Sequence, residues 1–217
     1  MIDQHALLTY LLEAASGRFP PVDGGCTIVP PLADGLECSV AFTGHAVIAT
    51  ALPDDVVRSR KPDGFGGSVA PQFLCWLAGA SGWLGVHDLT LVARGQGDGS
   101  LPERGDSQDH PRVQHASRLR RDVRVYGDER GIVTLAAGLA GRREISIEAA
   151  PAGQGRGWGR SLLRDALGLA PRGEPVFAAV SPGNARSLRA FLAVGFIPLG
   201  SEIILRPDRS LNLRARP

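Results

Sequence analysis

A glycine-rich stretch between a strand pattern and a helix pattern is the feature that most constrains this sequence. Residues 151–161 read Pro-Ala-Gly-Gln-Gly-Arg-Gly-Trp-Gly-Arg-Ser. The alternate glycines leave the backbone uncovered by side chains, so successive amide N–H groups can face one anion at the start of a helix, where the dipole also favours negative charge. The pattern therefore predicts a turn that binds a phosphate-bearing ligand; the alternative is a flexible turn that binds none.

Two common phosphate-binding motifs do not fit this stretch. The dinucleotide fingerprint Gly-x-Gly-x-x-Gly ends on Trp158 when it is counted from Gly153, and on Arg160 when it is counted from Gly155. A P-loop requires a glycine at the position of Gln154. A nucleotide-binding protein that uses this turn is therefore disfavoured.

A third motif does fit. Gln154, Gly157 and Gly159 form Gln-x-x-Gly-x-Gly, which resembles the pyrophosphate motif of the GNAT superfamily of N-acetyltransferases. About 25 residues on, residues 184–196 resemble the second signature of that family, Asn-x-x-(Ala/Ser)-x-x-x-(Tyr/Phe)-x-x-x-Gly-Phe. An apolar strand pattern precedes the first motif, and a helix and a buried strand pattern separate the two. The resemblance covers residues 144–207 and extends weakly upstream.

The resemblance implies a fold class. We expect an α/β protein with a GNAT-like mixed, mostly antiparallel central sheet flanked by helices, and with an N-terminal α+β extension. Residues 1–84 are expected to form this extension, whose role is unknown, and residues 85–217 a GNAT-like acetyl-CoA-binding domain. The first region either forms an extra lobe or completes the sheet.

Apolar periodicity and turn residues predict the individual elements. Asp3 is expected to cap the first helix. Loops are expected at 20–35, 53–68 and 95–110. The predicted helices are 3–15, 69–80, 111–121, 157–168 and 184–194, and the predicted strands are 37–43, 45–51, 84–93, 122–127, 131–140, 143–149, 174–181 and a last strand from 196 through 205.

The resemblance also assigns coenzyme-binding residues. The glycine-rich turn would hold the pyrophosphate, backbone groups of residues 147–149 would hold the pantetheine arm and the thioester carbonyl, and residues of the second signature would line the coenzyme. Trp158 is expected to pack on the turn rather than to stack on a ligand. The full set is Ile147, Glu148, Ala149, Gln154, Gly155, Arg156, Gly157, Trp158, Gly159, Arg160, Ser161, Asn184, Ser187 and Phe191.

The resemblance implies direct attack of an amine on acetyl-CoA, the co-substrate, and two catalytic roles follow. Glu144, and after it Glu148, are candidates for the general base, although both could equally be exposed strand carboxylates paired with arginine. Many family members carry a tyrosine as general acid where this chain has Phe191, which cannot donate a proton. A free thiol has a pKa of about 8.5, so the thiolate can leave without an acid. A non-catalytic acyl-CoA-binding sensor or partner module stays an alternative.

The amine acceptor has no signature in the sequence. Four acidic residues of loop 95–110 could attract a cationic amine, although a solvated connector is the simpler interpretation. These residues are Asp98, Glu103, Asp106 and Asp109.

Composition limits the remaining classes. The net charge of +2 does not favour a nucleic-acid partner. The three cysteines and five histidines have no metal-ligand spacing, so no metal site is expected. No stretch approaches the ~18 apolar residues of a membrane span, and no signal peptide is recognised, so we expect a cytoplasmic protein. A homodimer is plausible only because symmetric dimers are common.

Overall fold

The computed structural model describes residues 4–153 and 155–209 and has the predicted mixed α/β fold class, with mostly antiparallel strands and helices beside them. The helices are α1 (Ala6–Ala15), α2 (Asp54–Arg58), α3 (Pro71–Ala78), α4 (Pro111–Leu119), α5 (Trp158–Gly168) and α6 (Ala185–Ala193). The strands are β1 (Cys26–Val29), β2 (Glu37–Phe42), β3 (His45–Ala49), β4 (Trp83–Leu84), β5 (Asp88–Arg94), β6 (Arg121–Asp128), β7 (Gly131–Ala137), β8 (Arg143–Ala149), β9 (Pro175–Val180) and β10 (Ile197–Arg206).

The described residues fall into two compact units. The first comprises those of Met1–Leu89 together with those of Leu199–Pro217, and the second those of Thr90–Pro198. The division at 84/85 expected from the sequence differs from this one mainly at the C-terminal end. Most of the last strand belongs to the first unit because it pairs with β2, which lies far away in the sequence.

The first unit has β1, β3, β2 and β10 in that spatial order, and β4 also pairs with β10. β1 is parallel to β3, and the other pairs are antiparallel. Burying a large apolar side chain stabilises a fold by ~1.5–3 kcal/mol, and this unit buries a cluster of such side chains. The cluster comprises Ile48, Val57, Phe73, Leu74, Leu77, Ile203 and Leu205.

The second unit has β5, β9, β8, β7 and β6 in that order. β6, β7 and β8 form an antiparallel meander, whereas β8 and β9 are parallel. A parallel pair needs a crossover connection, and α5 provides it. α4 packs on the meander, where Val113 meets Val125 and Ile132.

Most predicted elements are confirmed within one to three residues at each end. α4 begins with Pro111, as expected, and His110 caps it by accepting the Arg112 N–H at its Nδ1. α1 is capped by His5, and Asp3 lies outside the described residues.

The structure corrects three local predictions. β1 lies inside the expected loop 20–35, because Cys-Thr-Ile-Val gains a partner in β3. α2 lies inside the expected loop 53–68, with Asp54 and Asp55 in its first turn, where the dipole favours them. The expected strand 84–93 is interrupted, and its two parts are β4 and β5.

Candidate functional site

The glycine-rich turn leads directly into α5. Gly157 is the N-cap residue, with a φ of 79°, and Gly155 has a φ of 75°. Both angles lie in the left-handed region, which glycine adopts without steric cost. The first amide N–H groups of a helix have no partner within the helix, and no side chain of a described residue caps α5. Gln154, the first residue of the predicted motif, lies outside the described residues.

Two other glycines of the turn lie close to neighbouring side chains. A Cβ built on Gly153 would lie 2.5 Å from ring atoms of Trp158, so the indole packs on the turn. A Cβ built on Gly159 would lie 3.8 Å from both Ala149 Cβ and Ile147 Cδ1. The start of α5 therefore lies against the end of β8.

This difference gives a matched pair of alanine variants. We expect Gly153→Ala to lower the free energy of unfolding by about 1–3 kcal/mol, because the new methyl group overlaps the Trp158 ring. Gly159→Ala places its methyl group at ordinary contact distance and should be close to neutral. Chemical denaturation, followed by tryptophan fluorescence, measures both variants. Equal stability for the two would contradict the packing of Trp158 on Gly153.

The backbone N–H and C=O groups of alternate residues in β8 point away from β7. The Ala150 N–H donates to the Arg130 carbonyl at 2.8 Å, and the Gly138 N–H donates to the Arg142 carbonyl at 2.8 Å. In the antiparallel register of β7 and β8, these two bonds show that the even-numbered residues of β8 form backbone hydrogen bonds with β7. The N–H and C=O groups of Ile147 and Ala149 therefore point to the β9 side.

β8 and β9 separate beside these groups. In the described chain, the two parallel strands share one paired position, Glu144↔Phe177, at the start of β8. Among the described residues of β9, none pairs with Ile147 or Ala149, which are paired with β7 alone. A gap lined by backbone donors and acceptors therefore runs from this closed end toward the glycine-rich start of α5.

The cations at the helix start fall into two groups. Arg156 and Arg160 are exposed, and neither makes an ion pair with another described residue. Arg130, from the β6–β7 turn, instead donates to Ser161 Oγ at 2.5 Å and pairs with Asp128 and Asp165. Hydrogen bonds to Asp128 raise the pKa of Arg130 further. Arg130 is not among the residues predicted from the sequence, because its contact with α5 spans 31 positions.

Glu144 is buried, at 3% exposure, not exposed as one interpretation of the sequence had it. Its Oε1 lies 2.6 Å from Arg120 Nη2, and its Oε2 accepts from Arg142 Nε at 2.9 Å. Burial alone would raise the pKa of Glu144, but the charges of Arg120 and Arg142 outweigh it and lower that pKa. A carboxylate held by two guanidinium groups is a weak proton acceptor.

Glu148 differs from Glu144 in its exposure and in its ion pairs. Its side chain is 48% exposed, and its single ion pair is a long one, 3.4 Å, to Arg112 Nε of α4. Glu148 lies at the end of β8 where β9 has separated. It is therefore the more accessible of the two predicted base candidates.

The second signature forms the start and the core face of α6. Asn184 caps the helix, since its Oδ1 accepts the Ser187 N–H at 3.1 Å. Phe191 is buried at 4% exposure, and its ring meets that of Phe196 edge-on, with centroids 4.9 Å apart. These contacts explain both residue types by helix capping and packing, whether or not a ligand lies nearby.

The acidic loop residues proposed to attract a cationic amine are largely neutralised. Glu103 pairs with Arg124, Asp106 with Arg104, and Asp98 with Arg172. The hydrogen bond from Arg104 lowers the pKa of Asp106 to about 2. Three of the four carboxylates thus have an arginine beside them, which weakens the case for a cationic acceptor.

The described residues contain neither a metal-binding cluster nor a membrane-spanning helix. No group of three or more His, Cys, Asp and Glu side chains there could hold a metal ion. None of the described helices is both long and apolar enough to cross a membrane.

Comparisons with known proteins complete the description. No family model matches the chain, and no curated protein matches it. Among solved structures, a GNAT-family protein of Novosphingobium aromaticivorans has 17% identity and a TM-score of 0.43, over 58% of this chain and 66% of that one. A GNAT-family acetyltransferase of Colwellia psychrerythraea has 13% identity and a TM-score of 0.40, over 62% and 60%. A Staphylococcus epidermidis protein of unknown function has 15% identity and a TM-score of 0.40, over 63% and 66%. The chain spans less than two thirds of each.

Proposed function

We propose that this chain is an acetyl-CoA-dependent N-acetyltransferase that moves an acetyl group to a primary amine by direct attack in a ternary complex. The observation that carries the proposal is the gap between β8 and β9, which opens beside the glycine-lined start of α5, where no side chain of a described residue caps the helix. A pyrophosphate fits the amides of the helix start, and an extended amide-bearing arm fits the exposed edge of β8.

Each part of the coenzyme has a counterpart in the second unit. The amides of residues 157–160 would bind the pyrophosphate, with Arg156 and Arg160 at its exposed side. The N–H and C=O groups of Ile147 and Ala149 would bind the pantetheine amides and the thioester oxygen. One such amide N–H at the developing oxyanion lowers the activation free energy by about 2.7–4 kcal/mol. Asn184 and Ser187 remain proposed residues of the coenzyme side.

The chemical step needs a base for the attacking amine. The amine nitrogen attacks the thioester carbonyl carbon and loses a proton, the C–S bond breaks, and the thiolate leaves and takes a proton from solvent. Glu148 is the proposed base, directly or through a water molecule, because it is exposed at the end of β8. Glu144 is given a structural role, since two arginines hold it.

Replacing Glu148 with glutamine tests this assignment. General base catalysis contributes about 10²–10⁴-fold, so we expect kcat for the best amine to fall by about a hundredfold or more. The affinity for acetyl-CoA, measured by calorimetry, should not change. An unchanged kcat would remove Glu148 as the base.

A non-catalytic acyl-CoA-binding module is the second candidate. Two observations favour it: Glu144 is engaged by arginines, and Phe191 lies in the core where many family members have a tyrosine. Calorimetric titration with acetyl-CoA, followed by a screen of amines with thiol release as the readout, separates the two. Binding with turnover supports the enzyme, and binding without turnover on any amine supports the module. A folded protein that binds ATP or NAD but no coenzyme A would contradict both.

A further inference from the structure

A second cluster of reactive side chains lies in the first unit, where three glycine-rich loops meet. The Gly24 N–H donates to the Gly44 carbonyl, and the Gly64 N–H donates to the Gly24 carbonyl, both at 2.9 Å. A Cβ on Gly64 would lie 2.4–2.5 Å from backbone atoms of Gly44 and His45. The loops are therefore packed backbone to backbone, which fixes the position of His45.

His45 connects a carboxylate to a hydroxyl. Its Nδ1 lies 2.8 Å from Asp23 Oδ1, and its Nε2 lies 3.0 Å from Thr27 Oγ1. An ionised carboxylate only accepts, so Nδ1 carries a proton; in the tautomer with its proton on Nδ1 alone, Nε2 accepts from the Thr27 hydroxyl. The Tyr10 hydroxyl donates a hydrogen bond to Thr27 Oγ1 at 3.4 Å, which agrees with this assignment.

The arrangement has the features of an activated nucleophile. Hydrogen bonds from His45 and from the Gly25 N–H lower the pKa of Asp23, so the carboxylate stays ionised and orients the imidazole. His45 is buried at 7% exposure, whereas Thr27 is only partly buried and lies on β1, at one end of the strand order of its unit. A base held by a third group and bonded to a hydroxyl is the geometry that nucleophilic catalysis requires.

The other histidines with described contacts have simpler explanations. His5 and His110 cap helices, and His87 bonds to Ser201 on the surface. Among the histidines that the structure describes, only His45 has both a carboxylate and a hydroxyl as partners in the contacts found.

Exposed apolar side chains flank the carboxylate end of this cluster. Phe65 is 73% exposed, and its ring lies over Gly24, where a Cβ would be 2.9 Å away from it. Val22 is 67% exposed and lies against Gly44. Large exposed apolar groups that adjoin polar reactive groups are typical of a binding surface.

We propose that Thr27 is an acyl-accepting nucleophile that takes short acyl groups from activated acyl esters or thioesters. Thr27 Oγ attacks the acyl carbonyl carbon and passes its proton to His45 Nε2. The C–O or C–S bond of the donor then breaks, and the departing phenol or thiol takes the proton from His45. The product is a Thr27 ester. Asp23 is a positioning residue, and the reaction is independent of the proposed acetyltransferase site because it uses residues of the first unit alone.

The test is acetylation by p-nitrophenyl acetate, in a Cys26→Ala background. Burial raises the pKa of the Cys26 thiol to about 11, so little of the nucleophilic thiolate is present at neutral pH. The Cys26→Ala change removes this neighbouring nucleophile altogether. Intact-mass and peptide mass spectrometry should place one acetyl group on Thr27, and Thr27→Ser should be acetylated at the same position. Thr27→Val should lose this label while its melting temperature stays close to that of the parent.

Two further variants keep the proposal testable if Thr27→Val does not fold. His45→Gln should slow labelling by about a hundredfold, the size of a general-base contribution. Asp23→Asn can still accept the Gly25 N–H, and it should lower the acylation rate constant without changing the half-saturating ester concentration. Acetylation that maps elsewhere, or labelling of folded His45→Gln at the parent rate, would overturn the proposal.

Discussion

Replacing Glu144 with glutamine is expected to lower the free energy of unfolding by about 3–5 kcal/mol, since breaking a buried ion pair by removing one partner is strongly destabilising. The side chain of Arg142 is fully buried and that of Arg120 is 11% exposed, so water cannot replace the lost carboxylate. For a chain of this length, the loss corresponds to a melting temperature lower by roughly 6–20 °C.

The position of the cluster extends the effect to the gap between β8 and β9, where we propose that acetyl-CoA binds. Arg142 lies over the ring of Phe177 at 5.2 Å, and Phe177 is the residue that pairs with Glu144 across β8 and β9. The ion pair therefore holds the closed end of the gap. We expect Glu144→Gln to weaken acetyl-CoA binding as well as stability.

Glu148→Gln is the matched control for stability. Its partner Arg112 is 36% exposed, and exposed ion pairs contribute about 0–1 kcal/mol, so this variant should unfold almost like the parent. Denaturant titration of the three proteins gives the comparison. A Glu144→Gln variant that keeps parent stability but loses kcat would contradict the structural role and restore Glu144 as the base.

The same carboxylate predicts how stability depends on pH. The pKa of Glu144 is lower in the folded chain than in the unfolded chain, where it is about 4.3. Its contribution is therefore complete above that value and is lost as the pH falls through the folded-state pKa. Below about pH 4, the advantage of the parent over Glu144→Gln should shrink, which denaturation at several pH values measures.

Gly157→Asp is expected to weaken acetyl-CoA binding by tenfold or more relative to Gly157→Asn. Both residues tolerate a left-handed φ, and both have nearly the same size. A Cβ at Gly157 meets no atom of the described residues within 4 Å, apart from its chain neighbours. The two variants differ by one negative charge at the helix start. Two like unit charges about 4 Å apart repel each other by about 4 kcal/mol near a protein surface. A fraction of that energy is enough to weaken binding tenfold.

Calorimetry at two salt concentrations makes the comparison sharper. Salt screens exposed charges, so the difference between the aspartate and asparagine variants should shrink at high ionic strength, whereas a purely steric effect should not. Equal affinities for the two variants at low salt would show that the pyrophosphate does not bind at the helix start. If the folded parent does not bind acetyl-CoA, the acetyltransferase proposal is wrong.

The sequence by itself determined the local structure around the glycine-rich turn. The glycine pattern of residues 151–161 and the apolar periodicity on both sides predicted β8, α5, β9 and α6 within one or two residues. The reason is that helix periodicity, capping and turn formation depend on neighbours a few positions away, which are all visible in the chain. The types of Phe191 and Asn184 were likewise visible, although their packing and capping contacts were not.

The tertiary structure alone decided the contacts between distant residues. Arg120 meets Glu144 across 24 positions, and β10 pairs with β2 across about 160, so the sequence could not show that Glu144 is buried or that the last strand joins the first unit. Asp23 and Thr27 meet His45 only because β1 pairs with β3. Burial, pKa and strand partners depend on which surfaces meet after the chain has folded back on itself, and no local pattern specifies that.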